Sequence, residues 1–388
     1  MKIKLKLISF IIFNSLAFSG TTGKLVGKII DKDTGNPLIG CNVIIEDTYM
    51  GTSSNELGEY ILLNIPPGNY NVRFEMIGYK RVINDGVTII SDKTITLNGE
   101  LVSSVIEGEE VIVLAEKKLI QFDVTQSEAI ISSEELDGMP VTEVEEVLRL
   151  QGGVTVDSDG GIHMRGGRTS EVSYMVDGVP MSDVYSGGIG VQIENDNIQE
   201  LQVISGTFNA EYGRALTGVV NMVTKDGGNK FEGSIHTYAG DYQSGDNIYN
   251  NLEKFDIQDD YSFSANLSGP IIKDKVTFYS SGRLNQSNGW LNGLQTFTIY
   301  GDTIFSDLND NLYLDGLETQ KEPYYRGLNW YDSWSSQNKI TFNVLKNTIF
   351  KINTIINSRK GQDYNHFLQF LENAQITNYN EGKFFGFN

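Results

Sequence analysis

Apolar and polar residues change rhythm three times along this chain. From Lys24 to about Leu101 short apolar runs are separated by turn formers: Lys24 to Ile30, Asn42 to Glu46, Tyr60 to Leu63, Tyr70 to Met76 and Thr94 to Leu97. Between them lie Asp33-Thr34-Gly35-Asn36-Pro37, Leu57-Gly58-Glu59 and Pro66-Pro67-Gly68-Asn69, whose residues fix or permit turn geometry. Spacing of this kind predicts a small β-sandwich. A helical period follows Pro140: Thr142 and Glu145 stand as a capping box, and Val144, Val147 and Leu148 fall on one face. The predicted helix runs to Leu150 and stops at Gly152-Gly153. Further short strands are expected over Ile162 to Arg168, Tyr174 to Pro180, Ile198 to Gly206 and Gly218 to Lys225.

After Lys230 the period becomes two. Tyr261, Phe263, Ala265 and Leu267 alternate with Ser262, Ser264, Asn266 and Ser268, and Phe350, Ile352, Thr354 and Ile356 alternate with Lys351, Asn353 and Asn357. Such strands suit lipid on one face and water on the other, although a soluble sandwich also alternates. Connection lengths decide. Strands are predicted near 231–240, 259–270, 275–286, 336–345 and 348–359. The long connections, Asp241 to Gln258 and Ser287 to Ser335, then share one rim, and the short turns, Ile271 to Asp274 and Lys346-Asn347, share the other. Membrane β-barrels have this arrangement, with short periplasmic turns and long external loops. Bacterial single-chain barrels close with an even number of strands, at least 8, so a chain with about five is expected to be truncated near Asn388, short of a pore.

Composition narrows the functions available. A net charge of -20, from 50 acidic against 30 basic residues, repels phosphate backbones and argues against a nucleic-acid partner. Among 388 residues, 41 Gly, 19 Tyr and 19 Phe lean toward an all-β chain. Cys41 is the only cysteine, so no intrachain disulfide forms, and its apolar neighbours predict a buried strand position. His163, His236 and His366 stand far apart with no zinc-ligand pattern, and no nucleophile-elbow or phosphate-loop motif occurs. No catalytic residue, metal site or cofactor is therefore predicted. Lys2, Lys4 and Lys6 precede an apolar stretch from Leu7 to Phe18 and then Ser19-Gly20-Thr21, which reads as a secretory signal peptide. No later stretch reaches helical membrane-span length, so membrane residence would come from strands.

The residues now carry a resemblance. The run G-K-I-I-D-K-D-T-G-N-P-L-I-G-C-N-V from Gly27, with G-E-Y-I-L-L-N-I-P-P-G-N-Y from Gly58, resembles a carboxypeptidase-regulatory-like domain, a non-catalytic sandwich. Arg165-Gly166, then Asp177-Gly178-Val179-Pro180, then the strand ending at Gly206, then Tyr212-Gly213-Arg214, then Gly218 to Lys225 with Asn221 between, resemble in this order the plug of TonB-dependent receptors. Singly, these are a loop fragment and a common Asp-Gly hairpin; the joint order makes the match. Arg165 and Asp177 are plausible charges for internal pairing. Glu109, Glu110, Val111, Ile112, Val113, Leu114 and Ala115 form an extended run that alone reads as an edge strand. The resemblance implies that it is the TonB box, an unpaired strand to which the energy-transducing protein adds, although Leu114 stands where the family more often has Thr.

The expected organisation is a signal peptide at 1–20, a periplasmic β-sandwich at 21–103, a linker with the TonB box at 104–117, an α+β plug at 118–228 and the start of an antiparallel transmembrane β-barrel at 229–388. The resemblance implies a receptor of the cell outer membrane, in outer-membrane lipid, that imports an iron chelate, glycan, vitamin or peptide without covalent chemistry. Its expected partners are TonB with its inner-membrane energising complex, a small-molecule or oligomeric ligand, and in some branches a surface lipoprotein; the exit segment A-E-Y-G-R-A-L-T-G-V-V-N is closer to the branches without one. The alternative from another class is a secreted β-rich adhesion or structural surface protein. Asp307, Asn309, Asp310, Asn311 and Asp315 read as a solvated polar loop, because their spacing completes no calcium-loop pattern. Trp290, Trp330 and Trp334 suit either ligand or membrane interface.

Overall fold

The computed structural model describes residues 22–104, 110–114, 127–139, 141, 143–157, 161–183, 185–206, 215–246, 248–299, 304–306, 312–314, 317–345, 348–372 and 377–387. The expected signal peptide, the motif Tyr212-Gly213-Arg214, Glu109, Ala115, Thr142, the turn Lys346-Asn347 and the aspartates and asparagines of the 307–315 loop lie outside the described residues. The fold is mainly β, with 58% of residues in strands and 6% helical.

The first unit is the expected sandwich. Strands β1 (Gly23–Asp31), β2 (Asn42–Ile45), β3 (Gly51–Ser53), β4 (Glu59–Ile65), β5 (Gly68–Glu75), β6 (Arg81–Ile89), β7 (Thr94–Thr96) and β8 (Gly99–Leu101) are joined by a ninth, β9 (Glu110–Leu114). One sheet has the order β4-β1-β7 with β8 also on β1, and the other has the order β3-β2-β5-β6-β9. Alternate residues point inward, so Leu25, Ile29, Val43, Ile45, Val72 and Phe74 fill the space between the sheets with no exposure. Cys41 joins them, as predicted, and burial pushes its thiol up to about 11, against an opposing hydrogen bond with the Glu75 carbonyl. The connection between β1 and β2 is held by Ser54, whose hydroxyl accepts from the Cys41 N–H at 2.9 Å and donates to the Leu38 carbonyl. Strand β9 corrects the expectation of an unpaired linker segment. It pairs in parallel with β6, with Arg81 opposite Glu110 and Asp85 opposite Leu114, and ends the sheet with its other edge free among the described residues.

The second unit packs two short helices on a five-stranded sheet. It comprises β10 (Ser127–Ser132), α1 (Ser133–Asp137), α2 (Val144–Arg149), β11 (Val154–Val156), β12 (Ile162–Met164), β13 (Val172–Val176), β14 (Val179–Pro180), β15 (Ile198–Ser205) and β16 (Gly218–Thr224), with sheet order β10-β15-β16-β13-β14. Helix α2 starts one residue later than its sequence signal: Glu143 and Glu146 form the capping box in place of Thr142 and Glu145. Its Val144, Val147 and Leu148 are buried as predicted, and the chain turns at Gly153 with φ +80°. Helix α1, which sequence reasoning missed, is capped by Ser132 and Glu135.

The third unit is an open antiparallel sheet of order β17-β18-β19-β24-β25-β27, made of β17 (Glu232–Gly240), β18 (Asp260–Ile272), β19 (Val276–Ser287), β24 (Tyr331–Leu345), β25 (Thr348–Gln362) and β27 (Thr377–Phe387). The long connection between β19 and β24 carries β20 (Asn292–Ile299), β21 (Ile304–Ser306), β22 (Leu312–Leu314) and β23 (Leu317–Gly327), while β26 (Leu371–Glu372) pairs with β20. Five strands of the open sheet match the predicted ones; β27 is a sixth. Long and short connections alternate as expected, and the sandwich sits at the short-turn rim, where the Tyr49 hydroxyl donates to Asn343 Oδ1 at 2.6 Å and Lys230 pairs with Asp47 at 2.8 Å. Ile235, Phe263, Leu267, Leu284, Trp334 and Phe385 are exposed on the outward face. The inward face carries Arg283, Gln337, Lys339, Lys351 and Asn353, and it meets the plug.

Replacing Ser54 with Ala leaves the Cys41 N–H and the Leu38 carbonyl unpaired in the sandwich core. The expected loss is about 1–3 kcal/mol of sandwich stability, read as a lower urea midpoint with unchanged slope.

Candidate functional site

The inward face of the sheet is organised in cross-strand rows, and three of them make polar contacts to the plug. Tyr279, Lys339 and Asn353 stand side by side on β19, β24 and β25. Lys339 Nζ lies 3.1 Å from Asp177 Oδ2 and 3.0 Å from Asp226 Oδ1, and donates to the Thr224 carbonyl at 3.0 Å. Asn353 Nδ2 donates to Asp177 Oδ2 at 2.9 Å, and the Tyr279 hydroxyl donates to Asn197 Oδ1 at 2.9 Å. In the adjacent row Lys351 Nζ reaches Asp226 Oδ2 at 2.6 Å. Two rows away in the other direction Arg283 pairs with Glu194 at 2.6 Å, and the Ser335 hydroxyl donates to the same carboxylate at 2.9 Å.

Local sequence explains how Asp177 reaches this place. Strands β13 and β14 are joined by a two-residue turn in which Asp177 has φ +47° and Gly178 φ +73°, the backbone that an Asp-Gly pair adopts readily. The Asp177 N–H donates to the Met222 carbonyl, and its carboxylate accepts from the Thr224 N–H at 2.9 Å and hydroxyl at 2.8 Å. The exit strand β16 therefore presents the turn to the wall. Lys339 is 2% exposed and Asp177 4%. Charges so buried persist only when paired and hydrogen-bonded. Burial pushes the Asp226 carboxyl up, but Lys339 and Lys351 outweigh that and hold it below the usual carboxylate range.

Arg165 and Asp177 do not pair. Arg165, at φ +49°, is exposed; its N–H donates to the Gly153 carbonyl and its guanidinium lies over Gly206, where a Cβ would come within 2.6 Å of Nη1. Gly166 follows it at φ +78°. Two predicted motifs thus meet at Arg165 and Gly206, and a third joins them: a Cβ on Gly218 would lie 2.1 Å from Met164 Sδ. Asn221 is buried between β15 and β13, accepting from the Gly178 N–H at 3.3 Å and donating to Gln202 Oε1 at 3.1 Å. The Lys225 N–H donates to the Asn197 carbonyl. Sequence reasoning missed Asp226, Glu194, Lys339 and Arg283; the one signal available was a charge on the polar side of an alternating strand.

On the long-connection side of the grip, a cavity of about 320 Å³ separates plug from wall, lined among others by Glu143, Glu194, Arg283, Tyr331 and Arg359. The Arg359 guanidinium stacks 4.3 Å from the Tyr331 ring centroid. On the opposite side the sandwich docks on the plug. Lys93 Nζ lies 2.6 Å from Glu128 Oε2, and Glu200 accepts from the Ser91 N–H with both oxygens at 3.3 Å. Burial raises the Glu200 carboxyl to about 7, with Glu128 and Asp92 adding to the rise and the Gln202 and Ser91 hydrogen bonds opposing it. No group of three or more metal-ligating residues occurs among the described residues.

The arrangement is a plug clasped to the inner face of an open antiparallel sheet, with a sandwich docked behind it. Residues 25–113 match the CarboxypepD_reg-like domain and residues 121–220 the TonB-dependent receptor plug domain. The chain is 25% identical over 350 residues to the TonB-dependent transporter Oar of Myxococcus xanthus, an alignment covering 81% of this chain and 32% of that protein. It is 31% identical over 121 residues to the vitamin B12 transporter BtuB of Vibrio vulnificus, covering 29% of this chain and 20% of that protein. The ferripyoverdine receptor of the outer membrane of Pseudomonas aeruginosa superposes with a TM-score of 0.44 at 14% identity, over 61% of this chain and 26% of that one. The chain thus carries a CarboxypepD_reg-like domain followed by a TonB-dependent receptor plug domain, and it is similar to proteins named TonB-dependent transporters. It spans about a third or less of the length of these relatives.

Replacing Lys339 with Met leaves the carboxylates of Asp177 and Asp226 with the single cation of Lys351, which reaches Asp226 alone, with an expected cost of about 3–5 kcal/mol, read as a lower urea midpoint for plug unfolding; adding Asp177→Asn restores part of it. Because the folded-state pKa of Glu200 is raised, the folded form holds a proton that the unfolded form has lost, so docking weakens as pH rises from the ordinary glutamate range to about 7. Glu200→Gln should flatten that pH dependence in proteolysis of the sandwich–plug junction.

Proposed function

We propose that this chain is the coupling and gating part of an outer-membrane importer. External loops and the outer face of the plug bind a nutrient, and TonB, driven by the inner-membrane proton-motive force, shifts the plug to let it pass. The observation that carries the reading is the chemistry of the plug–wall contact. The plug is held by rows of ion pairs and hydrogen bonds, groups whose partners water can replace when the plug moves, whereas an apolar contact of the same extent would favour permanent burial. The 320 Å³ cavity lies on the long-connection side, the external side of a membrane barrel, and places arginines, carboxylates and aromatic rings where a polar ligand would meet the plug. The sandwich lies at the short-turn rim and so faces the periplasm in this reading.

Energy enters at the segment Glu109 to Ala115. Its strand β9 keeps one edge free, which supports addition of a TonB strand by main-chain hydrogen bonds. The correction made by the fold is that the other edge is already taken by β6, so TonB adds to a docked strand. No step of this function makes or breaks a covalent bond. The ligand class, whether iron chelate, glycan, vitamin or peptide, is set by loops that this part of the receptor carries incompletely.

Deleting residues 109–115 from the full-length protein should leave ligand binding within twofold of wild type while abolishing uptake in cells. Uptake that survives the deletion overturns the assignment of the coupling strand.

A further inference from the structure

The central plug strands are buried along almost their whole length, β15 from Ile198 to Ser205 and β16 from Gly218 to Thr224. Among the buried polar residues of these strands are Glu200, Gln202 and Asn221, which are 4%, 1% and 2% exposed. Burying such groups is costly unless they are bonded, and here they bond to one another in a line. Gln202 Nε2 donates to Glu200 Oε1 at 2.6 Å and to the Ser91 carbonyl at 3.3 Å, and its Oε1 accepts from Asn221 Nδ2 at 3.1 Å. Gln202 and Asn221 face each other in the β15–β16 register. Asn221 Oδ1 accepts from the Gly178 N–H, one peptide from the carboxylate that Lys339 and Asn353 hold.

The two ends of this line belong to different units. Ser91 is in the sandwich, fully buried and two residues past the end of β6, and it is gripped by both its N–H and its carbonyl. Strand β6 is in turn the strand on which β9 is docked. At the far end Asp177 touches the membrane wall. A satisfied polar chain in a low-dielectric interior is stiff, because moving one member leaves the next unpaired.

We propose that Glu200, Gln202 and Asn221 form a relay that couples the position of the sandwich to the grip of the wall on Asp177, making the sandwich a mechanical part of the gate. Displacement of Ser91 draws on Gln202, then on Asn221, then on the Asp177–Gly178 turn, and loosens its hold on Lys339. Gln202 and Asn221 are positioning residues: neither touches the wall or the ligand. The inference rests on the reading above only for the source of the pull, since the relay itself joins sandwich to wall whatever moves the sandwich.

Hydrogen exchange of the full-length protein in lipid nanodiscs tests this at the Thr224 amide, which donates to Asp177 and to no relay residue. Ser91→Trp overfills the docking contact and pushes the sandwich off the plug, and should raise Thr224 exchange at least tenfold while Ile355 in the wall stays protected. In a background carrying Gln202→Leu and Asn221→Leu, which removes both relay partners together and leaves neither stranded, the same Ser91→Trp change should alter Thr224 exchange less than twofold. Equal effects in the two backgrounds, or no effect in either, overturn the relay. If Ser91→Trp unfolds the sandwich, Lys93→Glu, which sets like charges against Glu128 across the same contact, takes its place with the same expected outcomes. Uptake that survives deletion of residues 109–115 would sink the coupling reading and leave these exchange results unchanged, so the two failures are distinct.

Discussion

The ammonium group of Lys339 sits where water does not reach, and much of the architecture can be understood as what its burial demands. Removing an unpaired charge from water costs far more than a fold of ordinary stability can spare. Two carboxylates, a carbonyl and a neighbouring amide surround it, drawn from three stretches of chain. To supply Asp177, the β13–β14 turn must take left-handed backbone at consecutive residues. To supply Asp226 and the Thr224 carbonyl, the exit strand must end at the wall. The plug cannot shift relative to the sheet without breaking this set together, which gives the contact the character of a latch.

Sequence periodicity predicted which wall residues point inward, because two-residue alternation with an apolar outer face leaves little freedom of register. Lys351, Asn353 and Asn357 were legible as the polar side of β25, and all three contact the plug. What each one meets was not legible, since the partners come from a separate unit brought in by tertiary packing. The plug motifs were legible in order and type, yet the pairing they suggested, Arg165 with Asp177, does not occur: Arg165 packs on Gly206 and the Asp177 partner is in the wall. Strand β6 was missed because its centre, Asn84-Asp85-Gly86, reads as a turn. There the strand carries a register shift against β5, Gly86 has φ +72°, and Asn84 is buried with its amide bonded to the Val72 carbonyl. The partner of β9 was equally hidden, since parallel pairing across distant sequence has no local signature.

The placement of β9 changes how energy transfer is pictured in the proposed function. A free segment would pull directly on the plug, whereas a docked one passes part of any load through β6 and the sandwich. The sandwich in turn is anchored to the plug by Ser91 and Lys93 and to the wall by Tyr49 and Asp47. The position of the regulatory-like domain, between the coupling strand of the proposed function and the plug, gives it a mechanical place in that reading.

A structure of the full-length receptor in a lipid bilayer, resolved well enough to place side chains, tests the latch most directly. Lys339 Nζ should lie within 4 Å of carboxylate oxygens of both Asp177 and Asp226, on the inner face of a closed barrel. A Lys339 side chain turned to water or lipid, with Asp177 and Asp226 bonded elsewhere, would contradict it.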